Sequence, residues 1–300
     1  MRAHAPPVRY VEPVYRPPSE ASSLILPVTD GCSWNRCRFC EMYRLPQKRF
    51  RARETDEVLD SIRHAGEALA DQVRRVFLAD GDALALPTRR LLLYLEAIRT
   101  HLPSVHRVSS YCLARNLRRK PVSELAAMRE AGLSLVYLGA ESGDDTVLAR
   151  AAKGETAAST RAALDKLGDA GIRRSVMIVN GLAGIAFSAQ HADNSARLIN
   201  ATAPEYLSTL VLMLPDGGVR YRAGWPDWQP LSQLGLLREL ERLVSALELR
   251  RTIFRSDHAS NWLPLKGTLN NDKPRVLAEI RQAIERPELA PLRAAAMRGL

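Results

Sequence analysis

Cysteine is scarce in this 300-residue sequence, with four in all, and aromatic residues make up only 6%. Two disulfides are a poor use for four thiols when three of them sit within nine positions. Clustered cysteines without an export signal point to a reducing compartment, the cytoplasm, where they bind metal more often than they pair. No apolar run approaches the roughly 20 residues that a membrane helix requires. The opening "MRAHAPPVRYVEPVYRPPSE" holds no apolar h-region, so a cleaved secretion signal is not expected. Acidic residues are outnumbered, 33 against 43 basic, for a formal net charge of +10. That excess permits attraction to nucleic acid, an anionic cofactor or an acidic partner. Most of it is arginine spread along the chain, and the plain reading is a solvated basic surface.

What is present is ordinary for a globular protein, 46% hydrophobic and 25% charged residues. The chain is long enough for one large α/β domain or two smaller ones. Residues 1–22 are rich in proline and read as an extended arm, either lying on the body or disordered. Apolar runs then alternate with amphipathic stretches. Strands are expected at 23–29, 74–80, 106–112, 133–141, 172–181 and 205–214. Helices are expected at 55–70, 87–102, 121–132, within 144–170, and at 189–203. Six βα units in strict alternation imply a parallel sheet with right-handed crossovers, doubly wound or curled into a partial barrel. We expect an arm at 1–22, a core at 23–215 and a cap at 216–300, with helices near 230–248 and 273–285 and a strand-like "RTIFRS".

The three close cysteines, Cys32, Cys37 and Cys40, form C-x4-C-x2-C in "TDGCSWNRCRFCEMY", directly after the first expected strand. Strand C-terminal ends are where α/β folds place their sites. Three soft thiolates on one loop suit zinc or an iron–sulfur cluster. Structural zinc usually takes four protein ligands, and no fourth candidate lies nearby in sequence. A cubane held by three thiolates keeps one iron open for chemistry. Further polar segments close later strands: "LADGDAL", "YLGAESGDDTVLARAAKG" and "VNGLAG". Alone, the first is also a turn motif, the second also a helix N-cap at Ser142–Asp144, and the third also a glycine turn.

Taken in order, these motifs resemble the radical S-adenosylmethionine (radical SAM) superfamily. The cysteine spacing is one residue longer than its usual C-x3-C-x2-C. The likeness covers about residues 23–215, and the run at 137–154 is similar to the branch of the Elongator catalytic subunit, methylthiotransferases and coproporphyrinogen oxidase. The resemblance implies α/β architecture of the partial (β/α)6 TIM-like barrel class with a C-terminal α/β cap. It implies a 4Fe–4S cluster on Cys32, Cys37 and Cys40, and S-adenosylmethionine chelated to the open iron. Asp80, Gly81 and Asp82 fall on the family's Gly-Gly-Glu stretch, which meets the methionine amino group. Glu141 and Ser142 fall where the ribose and carboxylate are held. Ile178, Val179 and Gly181 would wall the adenine, Phe39 and Tyr43 would pack near it or shield the cluster, and Ser110 and Asn116 would face the same rim.

The implied reaction is one-electron cleavage of the cofactor to a 5′-deoxyadenosyl radical that takes hydrogen from a substrate carbon. Its implied partner is a low-potential donor of flavodoxin or ferredoxin type, which the basic "QKRFRAR" (47–53) would dock unless it is only a solvated loop. The cap segment "DHASNWLPLKGTL" brings His258, Asn261 and Lys266 together as candidate catalytic or substrate-anchoring groups, although His258 could equally cap a turn. Asp216 reads as a turn residue. Few cysteines remain for auxiliary clusters, so a minimal single-cluster enzyme acting on a small molecule is favoured over one acting on RNA. The alternatives are an RNA-modifying or RNA-binding iron–sulfur protein, a non-catalytic iron–sulfur carrier, or a structural zinc protein.

Overall fold

Apolar runs become strands here because both faces of the sheet are covered, as in parallel sheets generally. The computed structural model describes residues 8–215 and 217–299, so the first seven residues of the arm and Asp216 lie outside the described residues. In chain order the strands are β1 (Leu24–Pro27), the short pair β2 (Thr29–Asp30) and β3 (Arg51–Ala52), β4 (Arg75–Ala79), β5 (Arg107–Cys112), β6 (Leu133–Glu141), β7 (Arg173–Asn180), β8 (Tyr206–Val211), β9 (Thr252–Ser256) and β10 (Leu265–Leu269). Helices α1 (Thr55–Leu69), α2 (Thr88–His101), α3 (Val122–Glu130), α4 (Asp145–Arg150), α5 (Ala157–Asp169) and α6 (Gly184–Thr202) lie between them. The short α7 (Val219–Ala223), α8 (Gln233–Ala246) and α9 (Lys273–Glu285) belong to the remainder. The main sheet has eight strands in the order β1-β4-β5-β6-β7-β8-β9-β10.

The chain forms two compact units. One comprises the residues up to Asn35, Glu41–Leu138 and Asp165–Arg173; the other comprises Arg36–Cys40, Gly139–Leu164 and everything from Arg174 onward. In the first unit β1, β4, β5 and the start of β6 pair in parallel. Val76, Phe77, Leu78 and Ala79 on β4 have no exposure at all, which explains why this run has no polar alternation. Helix α1 buries Val58, Ile62 and Ala65, one stripe at helical spacing, and carries Asp56 and Glu57 in its first turn, where the helix dipole favours acid.

The described part of the proline-rich arm is built into this unit. Val8 is buried, the Tyr10 hydroxyl donates to Ile25 O at 3.0 Å, and Glu20 is wholly buried. The Glu20 carboxylate accepts from Tyr137 OH at 2.6 Å, from Arg107 at 2.8 Å and from the Ser23 hydroxyl.

In the second unit β7, β8 and β9 are parallel, and β10 closes antiparallel on β9. β10, like the two-residue β3, is a strand that the sequence pattern did not suggest. Helix α4 is capped by Asp144, whose Oδ1 accepts from Val147 N at 3.0 Å, and α8 by Ser232, which accepts from Gly235 N at 3.1 Å. Helix α6 begins five residues earlier than the periodicity indicated, at Gly184 rather than 189. Among the described residues no helix is long and apolar enough to cross a membrane.

Candidate active site

In the first unit, the chain leaving β4 runs through Asp80, Gly81 and Asp82. Asp82 has no exposed surface. Its Oδ2 accepts from the Ser33 hydroxyl and from Asn116 Nδ2 at 3.4 Å, while Oδ1 has no hydrogen-bond partner among the described residues. Burial pushes the carboxyl pKa up, against those two donors. Asn116 is held in place in turn, its Oδ1 accepting from Leu113 N at 2.7 Å.

Gly81 is a close approach: a Cβ there would lie 2.7 Å from the Tyr43 ring and 2.9 Å from Gly31 O. Tyr43 is buried against this turn and meets Tyr15 edge-on at 5.5 Å. Gly81→Ala therefore forces the ring or the turn to move. We expect a loss of about 1–3 kcal/mol in denaturant unfolding, typical of overpacking.

Asp80 has a different duty. It is buried, and Lys48 Nζ, itself 1% exposed, donates to its Oδ2 at 2.6 Å. Burial pushes its pKa up, and the Lys48 partner works against that. Ser110 is fully buried and donates to Leu78 O at 3.1 Å, tying β5 to β4. Cys112 is buried, with Sγ 3.2 Å from Leu113 O.

In the second unit, residues 36–40 carry Cys37 and Cys40, both partly buried like Cys32 on the first unit's side of the loop. Phe39 packs against an apolar cluster that includes Val147, Val179, Tyr221, Trp225 and Trp228. Val179 thus lines the same cluster, and Ile178 is fully buried. Glu141 ends β6 with φ of 64°, a left-handed backbone that few non-glycine residues adopt. Its Oε1 accepts from Lys153 Nζ at 2.8 Å. The Ser142 hydroxyl is fully buried, accepts from Asp144 N at 3.0 Å and bonds His191 Nδ1 at 2.7 Å. Burial lowers the His191 pKa.

Gly181 takes φ of 83°, and its N–H donates to Glu239 Oε1 at 2.6 Å. It also lines a cavity of about 230 Å³ with Leu212, Leu214, Arg222, Trp228 and Leu236.

The cap candidates are tied to local structure. His258 Nδ1 accepts from Ser260 N at 3.1 Å, which is the turn-capping alternative, and burial followed by the Arg293 charge lowers its pKa. Asn261 is buried and donates to Thr209 O at 2.8 Å. Lys266 is exposed on β10. The basic stretch 47–53 is not a free cationic surface either. Lys48 is buried on Asp80, while Arg53 and Arg51 pair with buried Asp30 at 2.9 and 2.8 Å.

Sequence reasoning did not find Lys48, Ser33, Lys153, His191 or Glu239, each of which holds a candidate residue. Three of them stand within segments already singled out, Ser33 in "TDGCSWNRCRFCEMY", Lys48 in "QKRFRAR" and Lys153 in "YLGAESGDDTVLARAAKG", but for other reasons; His191 and Glu239 carry no signal. Among the described residues no three His, Cys, Asp or Glu side chains converge as ligands of one metal ion. Thiolates that each take a different iron of a cubane need not converge on one point, and a set of three thiols remains suited to iron and sulfur. The unpartnered Asp82 oxygen independently suits an ammonium donor, as an amino acid moiety supplies.

A family model described as the radical SAM superfamily matches residues 26–194. Among curated proteins, none matches the sequence. Among solved structures, coproporphyrinogen III oxidase (HemN) from Escherichia coli is similar at a TM-score of 0.58 and 16% identity, covering 74% of this chain and 51% of its own. Methylornithine synthase (PylB) is similar at 0.52 and 16%, covering 90% and 83%. The cobalamin-dependent S-adenosylmethionine radical enzyme OxsB gives 0.50 and 16%, covering 89% and 36%. The chain spans between 35% and 51% of the first four solved chains it matches. At these identities the likeness is one of fold, α/β of the partial (β/α)6 TIM-like class with an α/β extension.

Proposed function

This chain belongs to the radical S-adenosylmethionine superfamily, and we propose that it is a single-cluster enzyme that cleaves S-adenosylmethionine reductively to abstract hydrogen from a small-molecule substrate. Asp82 carries the reading. Wholly buried just after β4, it has one oxygen held by Ser33 and Asn116 and the other, Oδ1, without a hydrogen-bond partner among the described residues. Left ionised and unmatched, such a group is costly, and an ammonium would satisfy it. Cys32, Cys37 and Cys40 would hold a 4Fe–4S cluster as thiolates, in a reducing, oxygen-poor setting such as the cytoplasm.

Bound together, cluster and S-adenosylmethionine supply one-electron cleavage of the S–C5′ bond and hydrogen abstraction. The protein's own groups orient the cofactor. Asp82 would accept from its amino group, held by Ser33 and Asn116. Glu141 would accept from ribose hydroxyls, with Lys153 fixing the carboxylate. Ser142 would act through the turn it closes with Asp144 and His191, and the Gly181 turn, held by Glu239, would lie along the adenine. An external low-potential reductant of flavodoxin or ferredoxin type would supply the electron.

The test is anaerobic reconstitution with iron and sulfide, then addition of S-adenosylmethionine and dithionite. 5′-Deoxyadenosine should accumulate. Asp82→Asn should raise the half-saturating cofactor concentration roughly 10- to 100-fold, the worth of one hydrogen bond to a charged group, with iron content unchanged. Full cluster loading with no cleavage would instead mark a carrier protein.

A further inference from the structure

Arg220, on α7, reaches the cysteine loop from 180 residues away. Its Nε donates to Arg38 O at 2.9 Å, and its Nη2 donates to Cys37 O at 3.2 Å and to Cys40 O at 2.6 Å. One half-buried guanidinium thus serves three carbonyls, two of them on candidate cluster ligands. A planar fork of donors can span such a set, whereas an ammonium on a flexible stem cannot hold all three at once.

The same short stretch is gripped from other sides. Arg38 N donates to Ala151 O at 3.0 Å, and Arg38 Nη1 to Arg150 O at 2.8 Å and Gly224 O at 3.2 Å. A Cβ on Gly224 would stand 2.0 Å from the Arg38 guanidinium, so a side chain there would push that guanidinium aside. Arg38 thus supplies the mechanical hold, through three contacts of its own. Holding the loop therefore does not by itself account for a second guanidinium on the Cys37 and Cys40 carbonyls.

We propose that Arg220 is a positioning residue that sets the reduction potential of the cluster through the main chain of Cys37 and Cys40. The inference rests on the cluster assigned above. Three carbonyl oxygens turn negative partial charge toward the guanidinium, which neutralises it and adds a full positive charge one peptide unit from two ligands. A cluster held by thiolates becomes more negative on reduction. A fixed cation in a partly buried setting stabilises the reduced form over the oxidised one, and net charge is among the terms that set iron–sulfur potentials. Arg220 thereby makes the electron easier to accept.

The experiment compares wild type, Arg220→Gln and Arg220→Lys after anaerobic reconstitution, reading iron content and an EPR-monitored redox titration without S-adenosylmethionine. Arg220→Gln keeps donors and removes the charge. It should hold its iron but show an about tenfold lower reduced-to-oxidised ratio at the wild-type midpoint, equivalent to about 59 mV for a one-electron couple. Arg220→Lys keeps the charge and loses the fork; its ratio should stay within about threefold of wild type. If Arg220→Gln holds iron at the wild-type potential, the residue is scaffolding and the proposal is overturned. If Arg220→Gln cannot hold iron, Arg220→Lys decides: the wild-type potential without the fork supports a charge effect, and a tenfold shift overturns it. A wild-type protein that takes up no cluster overturns the cluster reading, and this inference with it.

Discussion

Cys37→Ala loses the cluster after anaerobic reconstitution, and 5′-deoxyadenosine formation falls to the level without protein. The expectation follows from ligand number. Three cysteines share one loop, and the fourth, Cys112, is buried at the end of β5 with its thiol turned to Leu113 O. Two thiolates cannot hold a cubane against solvent and chelators, and no other cysteine stands near in sequence. Cys112→Ala is the matched control. It removes a thiol of equal size from a buried site and should leave iron and sulfide content unchanged, with a stability cost of about 1 kcal/mol or less for the lost packing. Iron and sulfide assays, the visible absorbance of the anaerobic protein and chromatography of the cleavage product read all of this. A Cys37→Ala protein that keeps a full cluster would mean that Cys37 is not a ligand, and the proposed centre would be wrong.

Lys48→Met lowers stability by about 3–5 kcal/mol, the usual result of removing one partner from a buried ion pair. For a chain of this size that corresponds to roughly 6–20 °C in Tm. Lys48 and Asp80 are 1% and 2% exposed and 2.6 Å apart, so the variant leaves a carboxylate in the interior with no counter-ion.

The pH dependence has a definite sign. Burial already raises the Asp80 pKa above its ordinary 3.8 while Lys48 holds it down, so removing Lys48 pushes it up further. A carboxyl whose folded pKa exceeds its unfolded one stabilises fully below the unfolded value and loses that contribution as pH rises through the folded value. The deficit of Lys48→Met should therefore be largest at neutral pH and shrink on acidification toward the ordinary carboxyl value of 3.8. Replacing both partners, Lys48→Met with Asp80→Leu, should recover most of the loss, since a dry apolar pair often does as well as a buried ion pair. Denaturant unfolding across pH measures each step. A deficit below about 1 kcal/mol at neutral pH would show that water reaches the pair.

The parallel strands were legible because burial on both faces leaves continuous apolar runs, and β4, β6 and β7 lie within a residue of where those runs end. β10 was not, since "LKGTL" puts an exposed lysine and a glycine in the middle of five residues and shows neither alternation nor a continuous run. Helix α7 is only five residues long, too short for any periodicity to register. At the candidate site, the family resemblance singled out Asp82 and Glu141, which follow or end β4 and β6. It could not tell that Asp80 is neutralised by Lys48 from 32 positions away, or that Ser110 is spent on Leu78 O. Those assignments depend on which loops meet in space. In the stretch "QKRFRAR" the charge is visible in sequence, and the buried partners of Lys48 and Arg53, Asp80 and Asp30, are not.

Glu20, sunk beneath Tyr137 and Arg107, ties the arm to the folded core. The span shared with the superfamily opens at residue 26, beyond Val8, Tyr10 and Glu20 alike. Inheritance and folding draw different borders on the chain. A version trimmed to the matched span would leave a tyrosine hydroxyl and a guanidinium facing an emptied socket, so the stretch from Val8 to Glu20 is masonry rather than a tail.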